Sequence, residues 1–469
     1  MSKYLKTVLV ILAFMGCGFA QPTLNESISF EEYLAFVKKY HPLFKQANLT
    51  LSVGEANLLK ARGAFDPKIE VDYTRKKFKG TTYYDKLNTA FKIPTWYGIE
   101  FKGNFEDNSG EFLDPSFTVP EDGLYSAGIS FSLAQGFLIN ERMASLKKAK
   151  YFLSQSKADR DLLVNNVLYN ASLAYFEWIE AWQEERIYES FLENSTTRLQ
   201  AITRSVEEGD KAEIDITEAK ITVQNRTLEL EAARLKRRKA KLKASNFLWL
   251  ENVPLTIEDA VTPEIPSLEI LKENLILSGI TNTNLLEENH PKLRSLEAKI
   301  GRLEVDRNLK INKLLPKVNL QYNFLSTEYD NLDSFNTANY KAALNVSVPI
   351  LLRKERGDLK LANLKLADAE LENQAVSLSL KNKIEAINIE INSLSTQYSL
   401  IKDIVVNYSV LVSAEERKFG LGESSLFLIN SREQKLISAK LKENTLSVKQ
   451  LTALAKLYNI LGITDITEN

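Results

Sequence analysis

Glycine and proline are scarce in this chain, which has 18 Gly and 12 Pro among its 469 residues. These are about 4% and 3% of the chain, where average proteins carry roughly 7% and 5%. A sequence so poor in residues that break helices and strands predicts long uninterrupted elements. It excludes a loop-rich sandwich, a collagen-like fibre and an intrinsically disordered protein.

Cysteine and histidine are scarcer still, with one Cys and two His in the whole chain. A single Cys excludes a disulfide framework and a multi-cysteine metal site, and two His leave little for acid–base chemistry. The 60 Lys and Arg residues balance 61 Asp and Glu residues, so no overall basic field attracts nucleic acid. There is also no Walker motif and no nucleophile–base constellation. The sequence therefore disfavours an enzyme and predicts no cofactor and no metal.

The amino terminus has the layout of a secretory signal peptide over residues 1–20. Two lysines precede a short apolar run, and small residues at positions 18 and 20 precede the expected cleavage site. The run is too short to span a membrane, and no later segment has 18 consecutive apolar residues. We therefore expect an exported protein without a transmembrane helix. Cys17 leaves one alternative open, because its surroundings resemble a lipobox: it is either lipidated or lost with the signal peptide.

The sequence repeats itself at a constant spacing. His41 and His290 each precede a proline and lie 249 residues apart. The same offset carries the segment 66–68 (Asp-Pro-Lys) onto the segment 315–317 (Leu-Pro-Lys), and a tyrosine five residues further on recurs as well. Three coincidences at one ungapped offset indicate a tandem duplication.

Each repeat contains two segments in which apolar and polar residues alternate, as in a strand with one apolar and one polar face. They predict four strands, near 68–78, 124–135, 317–325 and 340–350. Such strands fit either a soluble sheet on a core or a membrane barrel with lipid outside and water inside. The first repeat carries about 35 additional residues between its two strands, and their Gly and Pro predict a loop or an extended hairpin.

Long segments without proline predict four long helices, near 139–206, 214–249, 353–419 and 426–461. The longest would measure roughly 100 Å, and helices of that length need coiled-coil-like partners rather than one globular core. Gly209, Gly420 and Gly422 lie between the helices and mark the tips of two helical hairpins. The first repeat with a linker then occupies 21–283, and the second repeat occupies 284–469.

These strands cannot form a membrane barrel by themselves, because an open sheet edge would leave unpaired backbone groups in lipid. Two helical hairpins likewise close into a ring only in an oligomer. The residues therefore predict an oligomeric tube, part strand and part helix. A soluble periplasmic coiled-coil scaffold is the alternative, although it would not explain the alternating strands. A self-contained porin would explain the strands and leave hundreds of helical residues unexplained.

The chain resembles the TolC family of outer membrane efflux proteins of Gram-negative bacteria over essentially its whole mature length. The resemblance rests on the two-fold repeat, the His-Pro starts and the Pro-Lys before each first strand. It also rests on the segments 348–351 (Val-Pro-Ile-Leu) and 419–426 (Phe-Gly-Leu-Gly-Glu-Ser-Ser-Leu). Two segments of the first repeat, 65–68 and 92–98, are similar to Bacteroidetes members.

This resemblance implies a mainly α-helical fold with a β-barrel portion. It implies a homotrimer whose 12-strand barrel lies in the outer membrane and continues as an α-helical barrel in the periplasm. The implied function is a passive exit duct of a tripartite efflux pump or a type I secretion system. The implied partners are a periplasmic adaptor, an inner-membrane transporter of the RND, ABC or MFS type, and outer membrane lipid.

The residues just past the hairpin tips are the candidate functional residues. In relatives, acidic residues at this place line the closed periplasmic entrance. Here the first repeat supplies Asp215 and Glu218 on one helix face, and a trimer would arrange them as rings of negative charge that act on cations. The second repeat departs from the pattern with Leu428 and Ser431 at the matching positions, so a less acidic entrance is expected. The alternative is that both carboxylates are ordinary solvated side chains.

Overall fold

A computed structural model describes residues 27–136, 138–275, 289–330 and 332–463. The predicted signal peptide, with Cys17, lies outside these residues. The helices are α1 (Phe30–Tyr40), α2 (Pro42–Arg62), α3 (Glu141–Glu207), α4 (Glu213–Ser245), α5 (Leu268–Asn274), α6 (Pro291–Asn312), α7 (Arg353–Gly420) and α8 (Leu426–Leu461). The strands are β1 (Ser27–Ile28), β2 (Lys68–Phe78), β3 (Thr81–Pro94), β4 (Ile99–Ser109), β5 (Leu124–Ala134), β6 (Trp249–Leu250), β7 (Val253–Pro254), β8 (Thr262–Pro263), β9 (Lys317–Ser326) and β10 (Tyr340–Ser347).

The chain divides into two compact units. The sheet unit comprises Lys45–Val164 and Asn282–Lys383. The helix unit comprises Met1–Phe44, Asn165–Thr281 and Ile384–Asn469. Each repeat supplies residues to both units, so the duplicated halves do not fold as two separate domains.

The sheet unit contains one antiparallel sheet of six strands in the order β10-β9-β5-β4-β3-β2. The two repeats meet where β5 pairs with β9, with Ile129 opposite Tyr322. Among the described residues the sheet is open, because β2 and β10 each pair with one neighbour only. Their outer backbone groups are therefore available to another strand.

The expected number of four strands is too low. The additional residues of the first repeat form β3 and β4, which lie between the two predicted strands of that repeat. Their alternation is harder to recognise in the sequence, because Thr89 and Gly103 interrupt the apolar positions. A 12-strand barrel would need four strands from each of three copies, whereas the large sheet of the described residues has six. Strand β10 also ends at Ser347 rather than near 350, and α4 ends at Ser245 rather than near 249.

The two faces of the sheet differ in polarity over most of their length, as the register shows. One face, called the apolar face here, carries Ile69, Val71, Tyr73, Leu87, Phe91, Ile93, Phe101, Phe105, Tyr125, Ile129, Phe131, Leu133, Val318, Leu320, Tyr322, Phe324, Leu344 and Val346. The opposite face, the polar face, carries Lys68, Glu70, Asp72, Lys86, Asn88, Lys92, Glu100, Lys102, Asn104, Glu106, Ser126, Ser130, Ser132, Asn319, Gln321, Asn323 and Asn345. Many of the apolar side chains are exposed, among them Ile69 (71%) and Phe101 (51%). So large an exposed apolar surface is typical of a membrane or protein contact.

Ion pairs and a small apolar cluster join the helices of the sheet unit. Lys148 of α3 lies 3.1 Å from Asp306 of α6, and Lys310 of α6 lies 3.1 Å from Asp358 of α7. Ala144, Val305 and Leu309 form the buried apolar contact between α3 and α6. The two helices are thereby held by apolar burial, with charges at the rim.

Both His-Pro sequences begin helices with the same local geometry. The Nδ1 atom of His41 accepts a hydrogen bond from the Leu43 N–H at 3.2 Å, and His290 accepts one from the Lys292 N–H at 3.0 Å. Each imidazole therefore satisfies one of the free N–H groups at the start of its helix. The proline at the first helical position has no N–H to satisfy.

The core of the helix unit is built on the aromatic side chains of α3. Tyr175 and Trp178 are fully buried, as are Phe30 and Tyr33 of α1. The Tyr175 hydroxyl donates to the carbonyl oxygens of Ile28, at 2.6 Å, and Glu264, at 2.8 Å. It thus ties α3 to the two short strands β1 and β8, which pair in parallel.

A ladder of ion pairs joins α3 to α4 in the helix unit. Acidic residues of α3 face the basic run of α4, and the pairs are Glu177–Lys243, Glu184–Lys236, Glu185–Arg237 and Glu185–Arg234. As the residue number rises along α3, the residue number of the partner in α4 falls, so the two helices are antiparallel. Within the described residues, no helix is long and apolar enough to cross a membrane.

The first prediction concerns the seam between the two repeats. At Gly128 in β5, an added Cβ would overlap the Tyr322 carbonyl oxygen, whereas at Gly103 in β4 the nearest atom to an added Cβ is 4.0 Å away. We expect Gly128→Ala to lower the free energy of unfolding by about 1–3 kcal/mol, because the backbone must shift. Gly103→Ala is the matched control and should be tolerated. Thermal denaturation of the purified variants measures both, and equal melting temperatures would contradict the prediction.

Candidate functional site

Both long helical hairpins turn through the same backbone motif. Gly209 (φ 82°) follows α3 and Gly422 (φ 78°) follows α7, both in the left-handed region that favours glycine. In each turn the residue after the glycine donates its N–H to the carbonyl five residues earlier, at 2.9 Å. These are the bonds of the Schellman motif, which ends a helix sharply. Gly420 is different: it is the last residue of α7, and a Cβ there would meet open space.

The predicted entrance residues lie at the beginning of α4 and α8. Asp215 and Glu218 are half-buried in the first two turns of α4, and Ser431 is half-buried in α8. The structure brings Glu218 to the second hairpin, because its Oε1 atom accepts a hydrogen bond from Asn430 Nδ2 at 3.1 Å. Glu218 is therefore a contact between the two hairpins as well as a carboxylate near a tip.

An apolar cluster packs the two tips together. Ile202 of α3, Ala219 of α4 and Leu426 of α8 are buried in it, and Phe419 of α7 packs against them. The Lys211 ammonium lies 3.7 Å from the centroid of the Phe419 ring. All four long helices contribute to this contact, so the tips form one packed end rather than two separate loops.

A buried ion cluster connects the same helices further from the tips. Glu433 of α8 is 1% exposed, and its carboxylate lies between two arginines. Its Oε1 atom accepts a hydrogen bond from Arg198 Nη2 at 3.0 Å, and its Oε2 atom lies 3.6 Å from Arg226 Nη2. Arg226 also donates to Gln434 Oε1 at 2.7 Å. Arg198 also pairs with Glu416 at 3.0 Å and Arg226 with Glu229 at 2.9 Å. Glu433 is the carboxylate that the two arginines share, at a place where water does not screen their charges.

A second buried carboxylate holds the tip of the second hairpin. The Ser424 hydroxyl donates to Glu415 Oε1 at 2.5 Å, and Arg432 Nε lies 2.5 Å from Glu415 Oε2. The Ser424 hydrogen bond and the Arg432 charge keep the pKa of the Glu415 carboxyl below its ordinary value, against the opposing effect of burial. The carboxylate is therefore ionised at neutral pH and joins α7, the tip and α8.

None of the ion-cluster residues was among the candidates from the sequence. The signal that could have identified Glu433 is local: Ile429 and Ile437 lie four residues before and after it, on the same helix face. Both isoleucines are buried. A charged residue in an apolar stripe predicts a buried partner of opposite charge. The identity of that partner, Arg198 or Arg226, depends on the tertiary packing.

A family model described as outer membrane efflux protein matches residues 282–463, which is nearly the whole second repeat. The match covers less than half of the chain, and it shows that the second repeat is similar to this family. No curated protein sequence matches this chain. The family match confirms the resemblance over the second repeat. The similarity to Bacteroidetes members stays a prediction.

Solved structures show that this chain has the TolC-like fold. The CmeC outer membrane channel of Campylobacter jejuni is 14% identical, with a TM-score of 0.66, over 92% of this chain and 85% of that one. The MtrE outer membrane channel of Neisseria gonorrhoeae, in its open state, is 14% identical, with a TM-score of 0.66, over 92% and 88%. The outer membrane protein VceC of Vibrio cholerae is 12% identical, with a TM-score of 0.64, over 92% and 95%. The expected mainly α-helical fold class is confirmed.

The second prediction concerns the buried ion cluster. Glu433→Gln leaves Arg198 and Arg226 without their shared carboxylate, so we expect a loss of about 3–5 kcal/mol in the free energy of unfolding. The control is Glu189→Gln, which removes an exposed partner of Arg186 and should cost less than about 1 kcal/mol. Chemical denaturation of the purified variants measures both. Similar losses for the two substitutions would show that Glu433 is not held as a buried charge.

Proposed function

We propose that three copies of this chain form an outer membrane exit duct, which passively conducts substrates from the periplasm to the outside. The proposal is supported by the similarity of the second repeat to outer membrane efflux proteins and by the TolC-like fold. The transported substrate would cross the outer membrane through the barrel that the three sheets form, and the periplasm through the tube that the long helices form. The family and the similar structures are channels rather than enzymes, which supports conduction without chemistry.

The open sheet with two unlike faces is the observation that carries the proposal. Its apolar face suits lipid and its polar face suits a water-filled lumen. In lipid, the outer backbone groups of β2 and β10 must find partners, because each unsatisfied group costs several kcal/mol. Pairing β2 of one copy with β10 of the next satisfies them and closes the barrel without a free edge.

The packed tips of the helical hairpins are proposed as the periplasmic entrance. Three copies would place three Asp215 and three Glu218 carboxylates around one axis, which gives a negative field that acts on cations. The second repeat adds Ser431 in place of a carboxylate. The entrance would therefore be less negative than one in which both repeats supply acids.

The partners proposed for the duct are a periplasmic adaptor and an inner-membrane transporter of the RND, ABC or MFS type. Such a set would form either a tripartite efflux pump or a type I secretion system. The tips are the end of the helices that these partners would meet. Genes that lie beside this one and encode an adaptor and a transporter would identify the pump class.

The third prediction tests the duct itself. We expect the chain in the outer membrane fraction, and we expect the detergent-extracted particle to contain three copies of a chain whose full mass is 53.2 kDa. Light scattering with correction for bound detergent measures the protein mass. A soluble monomer in the periplasm would overturn the proposal and favour a coiled-coil scaffold. A membrane-bound monomer would contradict the shared barrel.

The fourth prediction tests the entrance carboxylates. Asp215→Asn with Glu218→Gln should lower cation selectivity and weaken blockade by divalent cations several-fold, because the negative charge near the axis is lost. Glu213→Gln is the matched control: Glu213 is exposed in the same first turn of α4 but on another side of the helix. Planar bilayer recordings measure both effects. Unchanged selectivity and blockade in the double variant would identify the two carboxylates as ordinary solvated groups.

A further inference from the structure

The inserted hairpin β3–β4 lies beside its neighbours over most of their length. Residues of β2 pair with β3 from Lys68 opposite Lys92 to Phe78 opposite Thr81. Strand β4 pairs with β5 from Ile99 opposite Phe131 to Glu106 opposite Leu124, and it continues beyond the start of β5 to Ser109. Any depth in the membrane that these paired residues of β2 and β5 occupy is therefore also occupied by β3 and β4.

The length of the inserted strands is sufficient to span a membrane. Strand β3 has 14 residues and β4 has 11, against 11 each in β2 and β5. A strand tilted by about 45° needs roughly 9–11 residues to cross the hydrocarbon layer. Both inserted strands meet this requirement.

The inserted strands continue both faces of the sheet, although Thr89 and Gly103 interrupt the apolar side chains of one face. Their apolar face carries Leu87, Phe91, Ile93, Phe101 and Phe105, and three of these are exposed: Phe91 (45%), Ile93 (38%) and Phe101 (51%). Exposed aromatic and aliphatic side chains in the middle of a sheet are expected where lipid covers them. A hairpin in water on the cell surface would have no reason to keep this face apolar.

The polar face of the hairpin differs from that of β5 and β9 in its charge. It carries Lys86, Lys92, Glu100, Lys102 and Glu106, whereas the corresponding faces of β5 and the middle of β9 carry Ser, Gly, Asn and Gln. Lys92 pairs with Glu70 across the β2–β3 contact, and Lys102 lies 3.7 Å from Glu100. A lipid-facing Lys costs roughly 2–4 kcal/mol at the middle of the bilayer. These charges therefore belong on the water side.

From these observations we infer that the β3–β4 hairpin is a membrane-spanning part of the barrel, so that each copy supplies six strands and three copies close an 18-strand barrel. The inference rests on the proposed outer membrane duct and adds to it. At constant strand tilt, barrel diameter grows in proportion to strand number, so 18 strands give about one and a half times the diameter of 12. The hairpin also adds five charged residues to the lumen wall, beside those of β2. The outer membrane exit of this duct is therefore wider and more charged than a 12-strand barrel.

Cysteine labelling tests where the hairpin lies. Phe101→Cys places a thiol on the apolar face of β4, and Asn104→Cys places one on its polar face. In proteoliposomes, a membrane-impermeant maleimide should label Asn104→Cys at least ten-fold faster than Phe101→Cys, which only a lipid-soluble maleimide should reach. Cys17 is the single natural cysteine, and wild-type protein measures its background.

A second pair of variants separates failure of the inference from failure of the duct. Leu320→Cys and Gln321→Cys are adjacent positions on opposite faces of β9, which the insertion does not include. If this pair shows the same difference in labelling and the β4 pair does not, the hairpin lies outside the membrane and the inference is overturned. If neither pair shows a difference, the sheet does not face lipid and the proposed duct itself fails.

Counting the strands of the intact oligomer gives an independent result. Electron cryomicroscopy of the detergent-extracted particle should show 18 strands around one axis. In a variant lacking residues 81–109, the loop that precedes β5 joins it directly to β2, and the two strands remain antiparallel. This variant should show 12 strands and a barrel narrower by about one third. A wild-type particle with 12 strands would overturn the inference, whether it contains two copies or three.

Discussion

The sheet depends on backbone hydrogen bonding at its two edges. Strands β2 and β10 each have one neighbour in the part of the chain that the structure describes, and an edge that enters lipid cannot remain unpaired. In the proposed duct, this requirement makes the single chain incomplete and explains why a polar face and an exposed apolar face occur in one sheet. Copies of the proposed oligomer pair edge to edge, so that the apolar face meets lipid and the polar face encloses water. The proposed oligomer, duct and lumen all follow from this single constraint.

Charges are placed differently in the two units, and the difference follows from access to water. On the polar face of the sheet, Lys and Glu can remain hydrated in a lumen. In the helix unit, Glu433 is nearly excluded from water, so Arg198 and Arg226 must accompany it. A buried charge without a partner would be strongly unfavourable. The packing of the four long helices therefore depends on matched charge as well as on the apolar cluster at the tips.

Part of the candidate site could be predicted from the sequence because its causes are local. Gly209 and Gly422 stand where a helix must end in a left-handed residue, and both do so in the structure. Asp215 and Glu218 fall on one helix face by spacing alone. The hydrogen bond from Asn430 to Glu218 joins residues more than 200 positions apart. No local pattern predicts such a contact, because it depends on how two hairpins pack.

The sequence by itself determined the duplication, the long helices, the alternating strands and the turns, since each follows from periodicity or from backbone preference over short distances. The tertiary structure decided how many strands the sheet has and which charges are buried. Strands β3 and β4 become part of the sheet through pairing with β2 and β5, and Thr89 and Gly103 weaken the alternation that would have identified them. Strand pairing and burial are properties of residues far apart in the chain, so only the folded arrangement settles them.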